Sequence, residues 1–277
     1  MKICVFGADG YLGSAIYKIL KEKGNFHVSG TYYQEPVHGL EDLEELDINQ
    51  PEAFSTYYKN HEPDVVIWSL MNTEEEDVLV NEGLTHLITH LSPETKLIYL
   101  SSDFVFSAGE GPYSEEDQPK QLSEDNPRSV YVNGKIKAEK IIQKEIGNYL
   151  ILRMGPLYGE NLLGINDERS SKLEESLSAG ENVFKSDLLI RSFAHVQDIA
   201  KAVVELVPQD LSGIFHMGPD QHASYHSFYR KRAQELSLDP GMVKEQPPEE
   251  TDPSLPINTS LETKKLNGVL DASFREL

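Results

Sequence analysis

The sequence contains a single cysteine and lacks any long apolar run. Cys4 cannot form an internal disulfide, and one cysteine in 277 residues indicates a reducing compartment, so we expect a cytoplasmic protein. No apolar run approaches the roughly 20 residues that cross a bilayer, which excludes a membrane-spanning helix. The chain begins Met1-Lys2-Ile3-Cys4-Val5-Phe6-Gly7, and glycine arrives too early for the apolar region of a signal peptide.

Basic residues are scarce as well. The 25 Lys and Arg residues against 46 Asp and Glu residues give a formal net charge of −21 at pH 7. Nucleic acids and anionic membranes bind clusters of Lys and Arg, so we expect neither as a partner. A small phosphorylated ligand stays possible, because a few local donors can hold it. The histidines show no grouping with cysteines or paired acids, so no metal site is expected. The acid run Glu74–Asp77 is predicted to be a solvated helix start.

The first 155 residues alternate between apolar strand-like runs and longer amphipathic segments. This alternation predicts βαβ units around a parallel sheet that is covered on both faces. The predicted strands are Lys2–Phe6, His27–Tyr33, Asp64–Leu70, Lys96–Ser101 and Tyr149–Arg153. The predicted helices are Ser14–Lys23, Pro51–Asn60, Asp77–Leu91 and Arg128–Ile146.

After Arg153 the alternation becomes looser. The patterns predict helices at Glu168–Ala179, Val196–Val207 and Tyr225–Leu236, and strands at Asp187–Ile190 and Gly213–Met217. Residues 239–256 carry five prolines and are predicted to form a long loop over a second, smaller lobe.

Three glycines follow the first predicted strand and open the first predicted helix, in Gly7-Ala8-Asp9-Gly10-Tyr11-Leu12-Gly13. Glycine permits a tight turn and lets backbone N–H groups approach a pyrophosphate, while the helix N-terminus adds a positive dipole end. At this position the motif predicts a dinucleotide site, and a plain tight turn is the alternative.

Two further groups carry chemistry. Tyr131 and Lys135 are four residues apart in a predicted helix and therefore share one face. A nearby cation is expected to lower the pKa of Tyr131 toward the range of a general acid, although an ordinary surface pair is the alternative. Ser101 and Ser102 end the strand in Tyr99–Phe106, at the edge where open α/β sheets bind ligands.

The glycine spacing, these serines and the Tyr-x-x-x-Lys pair together resemble the short-chain dehydrogenase/reductase superfamily. The resemblance implies an α/β fold, a Rossmann-type doubly wound parallel sheet with a smaller C-terminal α/β substrate lobe. It implies that Ser102 donates a hydrogen bond to a substrate carbonyl, that Tyr131 donates the proton and that Lys135 binds the nicotinamide ribose. We predict a dinucleotide-binding domain over 1–155 and 183–217, and a substrate-binding lobe over 156–182 and 218–277.

The segment Arg191–Ala200 is similar to a signature of extended members that handle nucleotide sugars. This similarity implies that Arg191 grips the substrate diphosphate, and Asp103 is expected to contact substrate beside Ser102. Ser102–Phe106 and Asn258–Leu266 are similar to the dTDP-4-dehydrorhamnose reductase family, and the resemblance covers essentially the whole chain. That family includes the regulatory β subunit of methionine adenosyltransferase, which Ile151–Glu160 resembles at least as much.

The cofactor is expected to be NAD or NADP, with the choice open, because no Lys or Arg occurs between Gly24 and Gln50 and no acid ends the second strand. Trp68–Asn72 is bulkier than the Asn-Ala-Ala-Ala of rhamnose-type reductases, so the cofactor lies differently or the site is partly filled. The expected cofactor contacts are Gly7, Asp9, Gly10, Tyr11, Leu12, Gly13, Thr31, Asp47, Ile48, Ser69, Leu70, Met71, Tyr131 and Lys135.

The sequence thus predicts an NAD(P)-dependent reductase that acts on a carbonyl of a nucleotide-linked sugar, with a homodimer as one assembly it allows. Gly155-Pro156-Leu157 and Leu255-Pro256 depart from the rhamnose-type pattern and disfavour the rhamnose precursor as substrate. The alternatives are a non-catalytic NAD(P)-binding regulatory protein like the adenosyltransferase β subunit, or a nucleotide-sugar epimerase. Asp103-Phe104 replaces the Asp-Glu pair of dehydratases and disfavours that activity.

Overall fold

The computed structural model describes residues 1–35 and 37–277. Its strands, in chain order, are β1 (Lys2–Phe6), β2 (His27–Tyr32), β3 (Glu44–Glu45), β4 (Val65–Trp68), β5 (Lys96–Ser102), β6 (Tyr149–Met154), β7 (Leu157–Tyr158), β8 (Val183–Lys185), β9 (Ile190–Arg191), β10 (Ala194–His195), β11 (Gly213–Met217), β12 (Ala223–Ser224) and β13 (Val243–Glu245). Seven of them form a parallel sheet in the order β11-β6-β5-β4-β1-β2-β3. The remaining short strands pair in twos as β10 with β7, β12 with β9 and β13 with β8.

Helices cover both faces of the sheet, and further helices lie outside it. They are α1 (Tyr11–Lys23), α2 (Pro51–His61), α3 (Glu76–Val78), α4 (Thr85–His90), α5 (Ser129–Glu145), α6 (Glu168–Ser178), α7 (Val196–Leu206), α8 (Tyr225–Glu235) and α9 (Lys264–Asn267). A π-helical segment, Leu79–Leu84, joins α3 to α4, so the predicted helix Asp77–Leu91 is one helical stretch of mixed type. No helix in the described part of the chain is both long enough and apolar enough to cross a membrane.

Side-chain alternation along the strands separates two buried layers. Successive strand residues point to opposite faces of a sheet. Ile3 and Val5 therefore pack with α1 and α7 in one layer, whereas Cys4 and Phe6 pack with α2 and α5 in the other. The predicted α/β class with a doubly wound parallel sheet is confirmed.

Two predictions of local structure are wrong. The strand predicted at Asp187–Ile190 is absent except at its last residue: β8 ends at Lys185, and β9 begins only at Ile190. Residues 239–256 are more ordered than a long loop, because they contain β13, which pairs in parallel with β8, and two 3-10 turns at Pro240–Met242 and Pro248–Glu250. In both places the short strands depend on partners distant in sequence.

The sheet topology marks one crevice for a ligand. The chain order reverses between β1 and β4, which are neighbours in the sheet, and open α/β sheets bind ligands at the carboxyl edge of such a switch point. A separate apolar cluster lies outside the central sheet and includes Tyr158, Leu173, Phe193, Phe228 and Val243. The boundaries predicted for the two lobes stay a prediction.

Candidate active site

The glycine turn between β1 and α1 is tightly closed. Gly7 has a φ of +80°, a left-handed conformation that favours glycine, and the Gly10 N–H donates to the Gly7 carbonyl over 3.1 Å. A Cβ on residue 13 would lie 2.0 Å from the same carbonyl oxygen, so only glycine allows α1 to approach the turn this closely. The Gly7 N–H donates to Thr31 Oγ1 over 3.3 Å, which ties the turn to β2.

The N-terminus of α1 is uncapped. Gly10 precedes the helix without a side-chain cap, and the first turn of the helix contains no acidic residue. The first N–H groups of a helix have no partner within the helix, and together with the helix dipole they favour an anion. Gly10, Tyr11 and Leu12 line a cavity, so these residues fit the pyrophosphate of a dinucleotide.

That cavity has a volume of about 690 Å³ and lies at the carboxyl edge of the sheet. Its size suits a small-molecule ligand. Predicted site residues that line it are Gly10, Tyr11, Leu12, Ser69, Leu70, Met71, Ser102, Asp103, Tyr131 and Lys135. The predicted residues outside its lining are Gly7, Asp9, Gly13, Thr31, Asp47, Ile48 and Arg191.

Three of the predicted site residues outside the cavity lining have structural contacts: two accept hydrogen bonds from backbone N–H groups, and one is buried in the core. Asp9 Oδ2 accepts from the Tyr33 N–H over 3.3 Å, and Asp47 Oδ1 accepts from the Asn49 N–H over 3.0 Å. Ile48 is buried in the layer that contains α2. Their contact with a cofactor stays a prediction.

Leu70 packs directly over the glycine turn. Its Cδ2 atom would lie 2.9 Å from a Cβ on Gly7. Met71, beside it, is 58% exposed. The bulky pair that the sequence analysis noted therefore consists of one side chain over the turn and one in solvent.

Ser102 ends β5, and its hydroxyl is held by its neighbours. Ser102 Oγ accepts from the Phe104 N–H over 3.2 Å and donates to Asp103 Oδ1 over 3.3 Å. The other Asp103 oxygen accepts from the Thr259 hydroxyl and lies 4.0 Å from Arg191 Nε. Burial raises the pKa of Asp103, and Arg191 is the largest opposing influence. Asp103 is thus a buried carboxyl that joins β5 to two distant segments.

Tyr131 and Lys135 lie on one face of α5, with Lys135 Nζ 5.8 Å from the centre of the Tyr131 ring. The ammonium group is not free, because its nitrogen is 2.9 Å from Glu76 Oε1 and donates to the Leu70 carbonyl over 3.2 Å. Lys135 is 2% exposed and Glu76 is 0% exposed. The solvated helix start predicted for Glu74–Asp77 is therefore wrong for Glu76, although the other three acids of that run are exposed.

The pKa of Tyr131 is raised, which reverses the lowering that the Tyr-x-x-x-Lys spacing predicts. Burial is the largest cause, Glu76 and Asp103 raise the pKa further, and Ser102 opposes them. Glu76 offsets the positive charge of Lys135, so the phenol lacks the stabilising cation that the sequence analysis assumed. At neutral pH the phenol consequently keeps its proton.

Arg191 does not reach the cavity, which corrects its predicted role as a grip for the substrate diphosphate. The side chain is 0% exposed. Its guanidinium donates to the carbonyls of Ile190, Ile257 and Pro256 over 2.7, 3.0 and 2.8 Å. These bonds, with the nearby Asp103 carboxylate, use Arg191 to hold the C-terminal segment against β9.

Two other arginines, which the sequence analysis missed, line the cavity. Arg128 is bound by Ser254 Oγ at 2.6 Å and by Asp252 Oδ2 at 3.2 Å. Arg169, near the start of α6, donates to the Leu157 carbonyl over 2.6 Å, and its buried Nε has no hydrogen-bond partner in the described part of the chain. Nothing in the local pattern distinguishes Arg169 from an ordinary charged residue at a helix start. Among residues 1–35 and 37–277, no group of three or more His, Cys, Asp or Glu side chains could hold a metal ion.

Comparison with known proteins gives a family match over nearly the whole chain. The family described as the RmlD substrate binding domain matches residues 1–276. A probable low-salt glycan biosynthesis reductase from Haloferax volcanii is 25% identical over 258 residues, covering 87% of this chain and 82% of that protein. The methionine adenosyltransferase 2 subunit beta of Bos taurus is 26% identical over 245 residues, covering 81% of this chain and 69% of that protein.

Solved structures show the same fold. A hypothetical dTDP-4-dehydrorhamnose reductase from Sulfolobus tokodaii superposes with a TM-score of 0.81 at 22% identity, covering 100% of this chain and 97% of that chain. A dTDP-4-dehydrorhamnose reductase from Bacillus anthracis, solved in complex with NADP, superposes with a TM-score of 0.79 at 20% identity, covering 99% of this chain and 96% of that chain.

Proposed function

The chain belongs to the family described as the RmlD substrate binding domain, and from that membership we propose that it is an NAD(P)-dependent reductase of a nucleotide-linked sugar. The observation that carries the proposal is the convergence of Ser102, Tyr131 and Lys135 on the cavity that the uncapped end of α1 also lines. Reductases occur among both its relatives and its structural neighbours. The cytoplasmic location and the homodimer stay predictions.

The dinucleotide would bind across the switch point of the sheet. The N–H groups of Tyr11 and Leu12 would hold its pyrophosphate, because the Gly10 N–H is already bonded within the turn. Lys135, whose Nζ donates to the Leu70 carbonyl and contacts Glu76 Oε1, would donate a further N–H to a ribose hydroxyl. When bound, the reduced nicotinamide supplies a hydride to the carbonyl carbon. The choice between NAD and NADP stays open.

The protein's own chemical task is the proton. As the carbonyl carbon gains the hydride, its oxygen becomes an alkoxide that must be protonated. Tyr131 is suited to donate that proton, because its raised pKa keeps the phenol neutral at physiological pH. The Ser102 hydroxyl, at the end of β5, would turn from Asp103 Oδ1 and orient the substrate oxygen by donating its hydrogen bond there.

Arg169 is the best candidate to contact the phosphates of the substrate. Arg191 is buried behind backbone carbonyls, and Arg128 is paired with Asp252. Arg169 lines the cavity and keeps a buried Nε without a partner in the described structure. A planar guanidinium suits a diphosphate, which accepts two parallel hydrogen bonds from it.

A non-catalytic dinucleotide-binding protein is the second candidate, and two observations favour it. Leu70 packs over the glycine turn, where rhamnose-type reductases are expected to have a smaller residue, and Glu76 offsets the charge of Lys135. Several relatives are named as the beta subunit of methionine adenosyltransferase 2, that is, as a subunit of another enzyme. The reductase would turn over a carbonyl substrate, whereas the non-catalytic protein would bind the dinucleotide without turnover.

The test is carbonyl reduction, followed as loss of NADH or NADPH absorbance with a panel of 4-keto nucleotide sugars. We expect Tyr131→Phe to lower the rate by about 10²–10⁴-fold, the usual effect of losing a positioned general acid, while the affinity for NAD(P)H survives. Tyr149→Phe removes a phenol at the start of β6, away from the cavity lining, and serves as the control. Full activity in Tyr131→Phe refutes the mechanism. Dinucleotide binding without turnover of any carbonyl by the unmutated protein supports the second candidate.

A further inference from the structure

Glu76 is a buried carboxylate that the proposed mechanism does not use. It lies in a run of four acids, Glu74–Asp77, whose other members are exposed. A carboxylate with 0% exposure needs a partner, because burial of an unpaired charge is costly. Glu76 has two: Oε1 lies 2.9 Å from Lys135 Nζ, and Oε2 accepts from the Asn72 N–H over 2.8 Å. Both of its oxygens are therefore fixed.

Glycine at position 134 makes this arrangement possible. A Cβ on Gly134 would lie 2.6 Å from Glu76 Cγ and 3.0 Å from Glu76 Cβ. Glycine inside a helix is less favourable than alanine, so its presence at this position calls for a packing reason. The residue that immediately precedes Lys135 on α5 thus leaves the space through which Glu76 reaches the ammonium group.

The ammonium group is consequently held with little freedom. Lysine has three N–H donors. The Leu70 carbonyl accepts one of them, Glu76 Oε1 forms an ion pair with the ammonium group at 2.9 Å, and the centre of the Tyr99 ring lies 5.0 Å from Nζ. The positive charge of Lys135 is therefore matched by a carboxylate in direct contact.

We propose that Glu76 is a positioning residue that fixes Lys135 and offsets its charge, so that Tyr131 keeps the proton it donates. The charged and titratable groups around the phenol are Glu76 on α3, Tyr99 within β5, Asp103 directly after β5, and Lys135 on α5. The raised pKa of Tyr131 is consistent with this role, since burial, Glu76 and Asp103 raise it against Ser102. The role of Glu76 in catalysis rests on the proposed function, whereas the electrostatic coupling of Glu76 and Lys135 to the Tyr131 phenol does not.

The proposal also favours one direction of reaction. Carbonyl reduction needs a protonated phenol, and alcohol oxidation needs a phenolate. With the lysine charge offset, the phenolate forms only at high pH. Glu76 therefore suits the site to reduction at neutral pH.

The coupling can be measured without a substrate. Biosynthetic incorporation of 3-fluorotyrosine, whose phenol is more acidic than that of tyrosine, gives ¹⁹F NMR signals for the 13 tyrosines, and Tyr131→Phe identifies the signal of residue 131. In Glu76→Gln the Lys135 charge is no longer offset, so the titration midpoint of that signal should fall by about 1–3 pH units relative to wild type. The exposed neighbour gives the matched control, Glu75→Gln, whose midpoint should equal that of wild type.

A second variant keeps the test decisive if Glu76→Gln does not fold. Gly134→Ala retains every charge and raises helix propensity, but its methyl group would displace Glu76. It should shift the midpoint in the same direction by a smaller amount. Glu76→Asp, which keeps the charge, should restore most of the wild-type midpoint. A midpoint that stays unchanged in every folded variant overturns the proposal.

Turnover then links the coupling to catalysis. In Glu76→Gln the alkaline limb of the pH profile for carbonyl reduction should move to lower pH by the same amount as the Tyr131 midpoint. A midpoint that moves while no carbonyl substrate is ever reduced leaves the coupling intact and refutes the proposed function. A profile that stays fixed while the midpoint moves overturns the catalytic part of the inference.

Discussion

Arg191→Ala tests whether this arginine stabilises the fold or binds the substrate. In the structure the guanidinium donates three hydrogen bonds to backbone carbonyls and lies 4.0 Å from the Asp103 carboxylate. Removing one partner of a buried ion pair costs about 3–5 kcal/mol, because it leaves the other charge uncompensated. Domains are typically stable by about 5–15 kcal/mol, so the loss should be a large part of the total.

The effect should depend on pH with a defined sign. Burial raises the pKa of Asp103 even with Arg191 beside it, and without the arginine the folded-state pKa rises further. A carboxyl with a folded pKa above its unfolded value favours the folded state below the unfolded pKa and loses that contribution as pH rises. The destabilisation by Arg191→Ala should therefore be smaller near pH 5 than at pH 7. In Arg191→Ala/Asp103→Asn this pH dependence should vanish.

Urea unfolding provides the assay. Trp68 is 1% exposed in β4 and is the single tryptophan, so its fluorescence reports exposure of the sheet. Arg128→Ala is a suitable control, because its ion pair with Asp252 is partly exposed and should be worth at most about 1 kcal/mol. An Arg191→Ala protein with a wild-type urea midpoint and weakened nucleotide-sugar binding would refute the structural role and restore the role inferred from family resemblance.

Two further predictions concern the N-terminal residues. Gly10→Asp should fold, because aspartate is favoured at a helix N-cap. It should lose measurable dinucleotide affinity in calorimetric titration, because its carboxylate would repel the pyrophosphate at the N-terminus of α1. A folded variant with unchanged affinity would contradict the placement of the pyrophosphate there. Burial raises the pKa of Cys4 to about 12. The thiol should therefore resist alkylation at pH 8 in the native protein and react fully in urea. Rapid labelling of the native protein would show instead that β1 is accessible to solvent.

The elements that the sequence predicts well are those whose signal is local. The apolar run Val65–Trp68 is buried throughout, and nothing in its own pattern competes with a strand. The strands β8 and β9 have only three and two residues, and each exists because a distant segment, β13 or β12, pairs with it. A prediction from neighbouring residues cannot contain that pairing, which explains why the strand at Asp187–Ile190 was misplaced.

The same distinction applies to the site. The glycine turn and the spacing of Tyr131 and Lys135 are properties of short segments, and the structure places both as expected. The partner of Lys135 is not local: Glu76 reaches it from another helix through the space left by Gly134. A helix glycine beside a lysine is the one sign of this approach in the sequence, and its meaning is clear only once the packing is known.

The ion pairs also decide how the cavity can hold an anionic ligand. Two of the cations that family resemblance assigns to ligands, Lys135 and Arg191, already face the internal carboxylates Glu76 and Asp103. These ion pairs neutralise both positive charges within the protein. Lys135 and Arg191 therefore add little net attraction for a phosphorylated molecule that approaches a chain of charge −21. That attraction must come from local donors instead. The uncapped N-terminus of α1 can supply it, and so can Arg169, which lines the same cavity and whose Nε has no partner in the described structure.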